Sequence, residues 1–236
     1  NEVIKEINMP SLEFVDNDFL ANNKKITKLN LPKLKEAGPD FMVHNEIIDE
    51  INMPFLIKTG DHFLYSNKNA YILNLPSLRK AGSYFMSLNS NIEEINLPAL
   101  EEVGNCFLQW NKRITKLTLL HLRKAGSYFM QFNKDLKELN LAFLEEVGAD
   151  FLANNTELNS VNFMWLTKVG KNFLIKNKNI DRYEILKNCE MDIYDIKSLF
   201  DVSIIKIKKA NKFIKRIIRK IINKILKKEN KEIKVK

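Results

Sequence analysis

Glycine occurs in this chain at one spacing only. The seven glycines follow one another at intervals of 22 residues, and they are Gly38, Gly60, Gly82, Gly104, Gly126, Gly148 and Gly170. Asparagine keeps the same period at nine positions from Asn1 to Asn177, and phenylalanine keeps it at eight positions from Phe19 to Phe173. A unit of this length cannot bury its apolar side chains alone and must stack on its neighbours. The spacing therefore predicts a repeat solenoid built of 22-residue rungs.

One part of the unit has the pattern of a short strand. Between Ile92 and Leu97, the apolar residues Ile95 and Leu97 alternate with Asn96, which is the period of a strand with one apolar side. Pro98 follows directly, and because proline lacks a backbone donor we expect it to end the strand at a corner. Stacking of the rungs would bring these strands into one long parallel sheet.

Three other positions of the unit have predicted structural roles. We expect the glycine position to need a positive φ or a close approach between rungs, where a Cβ would clash. Asp16 and Asp192 replace it in the terminal units, and aspartate tolerates positive φ better than most residues. The phenylalanine and the Leu or Met after it would form the opposite wall, in a short helical turn or a second short strand. The asparagine at the head of each unit would form an internal ladder that satisfies backbone groups.

The unit resembles the leucine-rich repeat, most closely the BspA-like class found in many bacterial surface proteins, over residues 1 to about 186. In one unit the resemblance is carried by Ile92, Ile95, Leu97, Pro98, Leu100, Val103, Gly104, Phe107, Leu108 and Asn111. In this chain Phe-Leu or Phe-Met replaces the Ala-Phe pair of the class, and asparagine replaces its cysteine. The resemblance implies a leucine-rich-repeat solenoid with a parallel β-sheet on one face, and a role in protein–protein interaction as part of a surface or adhesion protein.

Charge is distributed unevenly along the chain. Residues 204–236 carry a net charge of +12, whereas the rest of the chain carries −3. Within the repeats, the sign alternates from one unit to the next, as in Arg79-Lys80, Glu101-Glu102, Arg123-Lys124 and Glu145-Glu146. Stacking would place opposite charges side by side, so we interpret these residues as ladders that set the stacking register rather than as a recognition surface.

A binding surface is expected where the repeats differ from one another. Two positions between the glycine and the next in-phase asparagine are polar in the outer units and mostly aromatic in the central ones. The central residues are Tyr84, Leu88, Trp110, Tyr128 and Phe132. Clustered aromatic side chains with a polar rim are typical of the core of a protein interface. The alternative is that these side chains only cover a corner of the coil.

The hydrophobic period changes at about residue 204. Apolar residues then recur at steps of three and four, at Phe213, Ile214, Ile217, Ile218, Ile221, Ile222, Ile225 and Leu226. Basic residues lie between them, at Lys212, Lys215, Arg216, Arg219, Lys220, Lys224, Lys227 and Lys228. This pattern predicts a basic amphipathic helix. Three interpretations stay open: docking on the last rung or on a partner helix, binding to an anionic membrane surface, and phosphate contacts with nucleic acid.

The sequence has no pattern typical of an enzyme. His44, His62 and His121 occupy three different positions of the unit, so stacking does not bring them into one column. Cys106 and Cys189 have no paired spacing, so we expect neither a disulfide framework nor a metal site. Every glycine is used once per rung, which leaves no phosphate-binding loop. We therefore expect no catalysis, no cofactor and no small-molecule substrate.

These features predict three parts of the chain. Residues 1–185 form the solenoid, with eight full units and a decaying ninth, residues 186–203 form a C-terminal cap, and residues 204–236 form the basic helix or tail. Asn1 stands in phase with the repeats, so we expect either a piece cut from a longer array or a start that was chosen at the edge of a repeat. The main hypothesis is a protein-binding module, and the alternative is a membrane-peripheral protein anchored by its basic helix. The resemblance implies the cell surface or secretion, and the composition leaves a cytoplasmic location open.

Overall fold

The computed structural model describes residues 4–45, 47–48, 50–182 and 185. Within this part each 22-residue rung contributes one strand of three residues and one of two. In chain order the strands are β1 (Glu6–Asn8), β2 (Phe14–Val15), β3 (Lys28–Asn30), β4 (Glu36–Ala37), β5 (Glu50–Asn52), β6 (Lys58–Thr59), β7 (Ile72–Asn74), β8 (Lys80–Ala81), β9 (Glu94–Asn96), β10 (Glu102–Val103), β11 (Lys116–Thr118), β12 (Lys124–Ala125), β13 (Glu138–Asn140), β14 (Glu146–Val147), β15 (Ser160–Asn162) and β16 (Lys168–Val169). The predicted solenoid is confirmed.

The three-residue strands pair in parallel and in the predicted register. Glu6 lies opposite Lys28 and Lys28 opposite Glu50, so the strands align at equivalent positions of successive rungs. The prediction of one long sheet from these strands is wrong for the described residues. They form three separate sheets, β1-β3-β5, β7-β9 and β11-β13-β15.

The continuous sheet is made by the two-residue strands. All eight of them in the described chain pair in one parallel sheet, from β2 to β16. These strands directly precede the glycine, as Glu102–Val103 precedes Gly104, and one of their two side chains points inward. The sequence placed a second strand or a helical turn at the Phe-Leu pair instead, and that placement is wrong.

The Phe-Leu segment adopts a backbone with alternating positive φ. In each of the eight rungs described, three alternate non-glycine residues have φ between 46° and 64°. In one rung these are Tyr84, Met86 and Leu88. Their N–H groups bond to neighbouring rungs: Tyr84 to the carbonyl of Asn105, Met86 to that of Phe63 and Leu88 to that of Gln109. Hydrogen bonds between rungs therefore hold a local conformation that these residue types disfavour in isolation.

The core of the solenoid contains a continuous column of stacked phenylalanine rings. The column runs from Phe19 to Phe173, and successive ring centroids lie 4.9 to 5.6 Å apart. From the second rung onward, Leu and Met of the middle positive-φ position pack beside it and are fully buried, as Met86 and Leu108 are. The predicted opposite wall is therefore present, although its backbone is neither helix nor strand.

The glycines are required by close packing between rungs. None of them has a positive φ, so that half of the sequence-based expectation is wrong. The other half is confirmed, because a Cβ on Gly82 would lie 2.3 Å from the carbonyl oxygen of Gly60 in the preceding rung. Asp16 is not a positive-φ residue either, so tolerance of that conformation does not explain it.

The predicted cap and tail lie outside the described residues. This applies to residues 186–203, to residues 204–236 with all their basic side chains, and to Asp192 and Cys189. The interpretations of those segments stay predictions from the sequence.

Candidate functional site

The candidate surface is formed by two neighbouring columns of residues on the positive-φ segments. Of the three positive-φ positions in a rung, the middle one points into the core. The first forms the column Asp18, Asp40, His62, Tyr84, Cys106, Tyr128, Asp150 and Asn172. The third forms the column Asn22, His44, Ser66, Leu88, Trp110, Phe132, Asn154 and Lys176. Both columns are polar at their ends and mostly aromatic or apolar in the middle.

The five residues predicted as a binding surface all lie in the middle of these columns. Tyr84, Leu88, Trp110 and Tyr128 are 38 to 39% exposed, and Phe132 is half-buried. The structure stacks Trp110 on Phe132, with centroids 4.1 Å apart and an interplanar angle of 18°. We call these five residues the aromatic patch. Its members come from three consecutive rungs, so they form one contiguous surface.

Three rings of the patch, those of Tyr84, Trp110 and Phe132, have one face covered by a stacked ring. Phe132 covers one face of Trp110, and His62 stacks on Tyr84 with centroids 5.0 Å apart. Stacking of this kind hides faces and leaves edges exposed. A sugar ring or an isolated cation would need an open aromatic face, whereas an apolar protein surface can pack against edges.

Sequence reasoning missed three residues that extend the patch. Tyr65 makes edge-on contacts with the rings of His44, His62 and Tyr84, at centroid distances of 5.8, 5.7 and 6.2 Å. His62 Nδ1 also lies 3.1 Å from Asp40 Oδ1. The sequence did point to the two histidines, because His62 occupies the same position of the unit as Tyr84, and His44 the same position as Leu88. They were considered only as catalytic candidates.

Cys106 lies in the first column between Tyr84 and Tyr128, and it is 5% exposed. Burial raises the pKa of the Cys106 thiol, although the hydrogen bond with Tyr84 acts in the opposite direction. Electrostatic interaction with Cys106 and the hydrogen bond to it raise the pKa of Tyr84. A buried thiol with a raised pKa is protonated near neutral pH and is a poor nucleophile.

The five residues of the aromatic patch have a positive φ, which is an unfavourable backbone conformation for their residue types. Left-handed φ costs a residue with a Cβ roughly 1–2 kcal/mol, and Asn and Asp tolerate it best. The outer rungs follow this preference, with Asp18, Asp40 and Asp150 in the first column and Asn22 and Asn154 in the third. The central rungs instead place Tyr, Leu, Trp and Phe there, and these side chains stay partly exposed. Core burial therefore does not account for the choice of residues.

Two other surfaces of the solenoid are uniform. On the three-residue strands, exposed asparagines hydrogen-bond from rung to rung, for example Asn96 Nδ2 to Asn74 Oδ1 at 2.8 Å. A shallow groove of about 610 Å³ lies on this face over β1, β3, β5 and β7. On the two-residue strands and at the residue directly before them, charges pair between rungs, as in Lys80–Glu102 at 3.0 Å and Arg79–Glu101 at 2.6 Å. The predicted charge ladders are confirmed between these rungs, although Lys58 lies opposite Lys80 and the alternation is broken there. Exposed, repeated ion pairs of this kind carry little information about a partner.

A second group of exposed apolar side chains lies at the corner that follows the three-residue strands. Phe143 and Trp165 have ring centroids 6.2 Å apart, and Met164 beside them is 72% exposed. Sequence reasoning did not single out these residues. None of the three has a positive φ, so they lack the conformational cost that distinguishes the aromatic patch.

The structure brings no catalytic or metal-binding cluster together in its described part. His121 Nδ1 lies 2.7 Å from the Pro98 carbonyl, at a different corner from His44 and His62. Among the described residues, no three His, Cys, Asp or Glu side chains are placed to hold a metal ion. The same part of the chain contains no helix with the length and apolarity that crossing a membrane requires.

The fold is that of known leucine-rich repeat proteins. A leucine-rich repeat protein from Bacteroides ovatus superposes with a TM-score of 0.51 at 17% identity, over 81% of this chain and 60% of that protein. The leucine-rich repeat protein of Treponema pallidum superposes with a TM-score of 0.53 at 10% identity, over 79% of this chain and 85% of its own. The chain thus spans about three fifths of the Bacteroides protein. No protein-family model matches the chain, and no curated protein matches it either.

Proposed function

From the leucine-rich-repeat fold and the aromatic patch together, we propose that this chain is a non-enzymatic module that binds a protein partner. The fold by itself supports only a scaffold, because function depends on the site that the scaffold carries. The patch supplies that site, with an apolar centre in rungs that differ from their neighbours and a polar rim in the rungs on either side.

One observation carries the proposal. Tyr84, Leu88, Trp110 and Tyr128 have φ between 58° and 63° and yet stay 38 to 39% exposed. Asparagine or aspartate would fit that backbone better, and the outer rungs use them. Residues whose backbone conformation opposes folding, and whose side chains are only partly buried, are typical of functional sites, where strain is retained for a role other than stability. Contact with a partner supplies the missing burial.

The chemistry of the patch favours a protein over other partners. Tyr and Trp are enriched at the centre of protein interfaces, where they contribute a large contact area and are surrounded by polar residues. The covered ring faces disfavour sugars and isolated cations, as argued above. The described part of the two columns offers little positive charge at the patch itself, which disfavours nucleic acid.

The test compares two double variants in the full chain. Trp110→Asn with Phe132→Asn removes the stacked pair of the patch, and Phe143→Asn with Trp165→Asn removes the other exposed aromatic pair as a matched control. A tagged chain is incubated with an extract of the cells that produce it, and retained proteins are quantified. We expect a protein retained by the unaltered chain and by the control but lost from the patch variant. Equal retention by all three chains would refute the proposal.

A second candidate function rests on the sequence of residues 204–236. Their net charge of +12 and their alternation of Ile with Lys or Arg favour an anionic membrane surface as a partner, which would make the chain membrane-peripheral. Sedimentation with anionic vesicles, with and without this segment, tests it. Binding that depends on the segment would support this function, and no binding would remove it. Membership of a larger BspA-like surface protein is a further proposal that the repeat pattern supports.

A further inference from the structure

We propose that the partner of the aromatic patch is a second copy of this chain, packed face to face and antiparallel about a two-fold axis through the rung of Trp110. This inference rests on the proposed function, because it names the partner of the same patch. Rungs are numbered here as successive 22-residue units from Asn1, so Trp110 and Cys106 belong to rung 5.

The two columns are nearly symmetric about rung 5. In the first column, Tyr84 of rung 4 and Tyr128 of rung 6 flank Cys106. In the third, Leu88 and Phe132 flank Trp110. A two-fold axis that lies in the contact plane, perpendicular to the stacking direction, places rung 4 of one copy opposite rung 6 of the other. Each column then meets itself, so Tyr84 faces Tyr128, Leu88 faces Phe132 and Trp110 faces Trp110.

A self-complementary surface is what a two-fold interface requires, since one patch serves both subunits. The next pair of rungs also fits. His62 and Ser66 of rung 3 come opposite Asp150 and Asn154 of rung 7. This juxtaposes an imidazole with a carboxylate and a hydroxyl with an amide, without two like charges in either column.

The ends of the columns decide between the antiparallel and parallel arrangements. On this face Asp18, Asp40 and Asp61 lie toward the first rungs, and Lys171 and Lys176 lie in rung 8. An antiparallel pair brings rung 2 opposite rung 8, where Asp40 faces Asn172 and His44 faces Lys176. The complementarity is therefore between the ends as a whole: the three aspartates of rungs 1–3 approach an end that carries Lys171 and Lys176 beside Asp150. A parallel pair brings equivalent rungs together with the two columns exchanged, so the acidic end of one copy approaches the acidic end of the other, and the basic ends approach each other. Charge complementarity of this kind fixes the orientation of an interface.

The size of the contact predicts a moderate affinity. Rungs are spaced by about 4.8 Å, so rungs 2 to 8 extend over roughly 30 Å. Two columns over that length give a contact at the lower end of the range for specific protein interfaces, where dissociation constants on the order of micromolar are common. The pair should therefore be detectable at concentrations of tens of micromolar and be dissociated at nanomolar ones.

The first test is sedimentation velocity of the full chain over a series of concentrations. We expect a shift from monomer to dimer, and we expect Trp110→Asn to weaken the dimer by at least about 30-fold, because a central tryptophan is the residue type most often dominant in an interface. Trp165→Asn is the matched control and should leave the dissociation constant unchanged. A chain that stays monomeric at high concentration, or a dimer that Trp110→Asn does not weaken, would overturn the inference.

The second test determines whether the two copies are antiparallel or parallel. Ser66→Cys and Asn154→Cys lie in the same column on rungs 3 and 7, which the antiparallel pair brings together. Under mild oxidation, an equimolar mixture of the two single variants should form a disulfide between residues 66 and 154, identified by mass spectrometry of the linked peptides. Each variant alone should form far less cross-linked dimer. A 66–66 or 154–154 linkage as abundant as 66–154 would exclude the antiparallel arrangement.

The two proposals fail separately. If the chain is monomeric but still retains another protein through the patch, self-association is wrong and the binding function stands. If a dimer forms and Trp110→Asn leaves it intact, the dimer uses another surface and this inference is wrong, whatever the extract experiment shows. If neither dimer nor patch-dependent retention is found, both proposals are wrong.

Discussion

The backbone N–H of Asn89 donates a hydrogen bond of 2.7 Å to the side-chain oxygen of Asn111, one rung further along the solenoid. The same Asn111 side chain donates through Nδ2 to the carbonyl of Met86, at 2.9 Å. Equivalent bonds connect the asparagines from Asn45 to Asn155, and all of these side chains are fully buried. Each asparagine from Asn67 to Asn155 thus satisfies one backbone donor and one backbone acceptor inside the protein, whereas Asn45 at the start of the ladder satisfies only an acceptor.

Replacing Asn111 by alanine should destabilise the protein strongly. The change leaves the Asn89 N–H and the Met86 carbonyl buried without partners, and each such group costs about 1–3 kcal/mol. We expect a loss of about 2–5 kcal/mol in the free energy of unfolding, measured by urea denaturation. Asn96→Ala, which removes an exposed asparagine of the strand ladder in the preceding rung, should cost less than about 1 kcal/mol. Similar losses for the two variants would contradict the buried ladder.

Gly82→Ala tests the close approach of successive rungs. The new Cβ would lie 2.3 Å from the Gly60 carbonyl oxygen and 2.4 Å from its carbon, and neither backbone atom can move without separating the rungs. We expect a loss of about 3 kcal/mol, typical of overpacking, and a fall in Tm of roughly 6–12 °C. Lys112→Ala, an exposed change, is the control. Because Gly82 has no positive φ, alanine would be stabilising if the space were open, and a rise in Tm would show that the clash is absent.

Leu88→Asn should stabilise the isolated chain. Leu88 has a φ of 63° and is 39% exposed, and asparagine is favoured over leucine at that φ. The expected gain is up to about 1 kcal/mol, or a rise in Tm of roughly 2–4 °C by thermal denaturation. Leu120→Asn is the matched control, because Leu120 is 41% exposed but does not have a positive φ. If both variants lose stability equally, the patch carries no conformational cost, and the main support for the proposed binding site disappears.

Tyr71→Phe should raise the pKa of Glu93. The Tyr71 hydroxyl donates to Glu93 Oε2 at 2.7 Å, and this bond, with a further contribution from Arg113, holds the pKa of Glu93 below its usual value. The same contact raises the pKa of Tyr71. Carbon-detected NMR titration of the Glu93 carboxyl measures the change, and Tyr65→Phe is the control.

The sign of the pH dependence follows from that lowered pKa. The interaction favours the ionised carboxylate, so its contribution to stability is present above the pKa of Glu93 in the unfolded chain and is lost as pH falls through the lower folded value. Tyr71→Phe should therefore reduce the acid sensitivity of stability in this window. An unchanged Glu93 titration in the variant would show that the hydrogen bond does not exist in solution.

Much of the architecture could be predicted because the residues that recur every 22 positions are the ones that form the core. The glycine, phenylalanine and asparagine columns are uniform, and each has one structural role, so the stacked rungs and the buried asparagines followed from the sequence. The positive-φ segments could not be predicted in the same way. Tyr84, Met86 and Leu88 disfavour that conformation individually, and only the hydrogen bonds between rungs make it stable.

The candidate site was predicted in its centre and missed at its edge. Variation between repeats identified Tyr84, Leu88, Trp110, Tyr128 and Phe132, because aromatic residues stand out where the outer units are polar. His44 and His62 were missed because they were considered only as catalytic candidates, although they occupy the same positions of the unit as Leu88 and Tyr84. Tyr65 was missed because its contacts depend on ring orientation, which a period does not specify. The division of the three-residue strands into three sheets could not be predicted either, since the residues on either side of a break, such as Asn52 and Asn74, follow the same sequence pattern.

The two breaks between the sheets of three-residue strands divide the solenoid into blocks that we expect to unfold locally one at a time. Rungs 1–3, 4–5 and 6–8 are each paired through both kinds of strand, whereas the boundaries between these blocks lack pairing of the three-residue strands. Two-residue strands, positive-φ segments and buried asparagines still bond across those boundaries. In stacked repeats, stability is the sum of each rung and its contacts with its neighbours, so the weakest contacts set where cooperative units divide. Amide exchange in this protein should therefore proceed in three steps, one per block, and the aromatic patch crosses the boundary between the second and third blocks. A partner bound there would hold two such units closed at once.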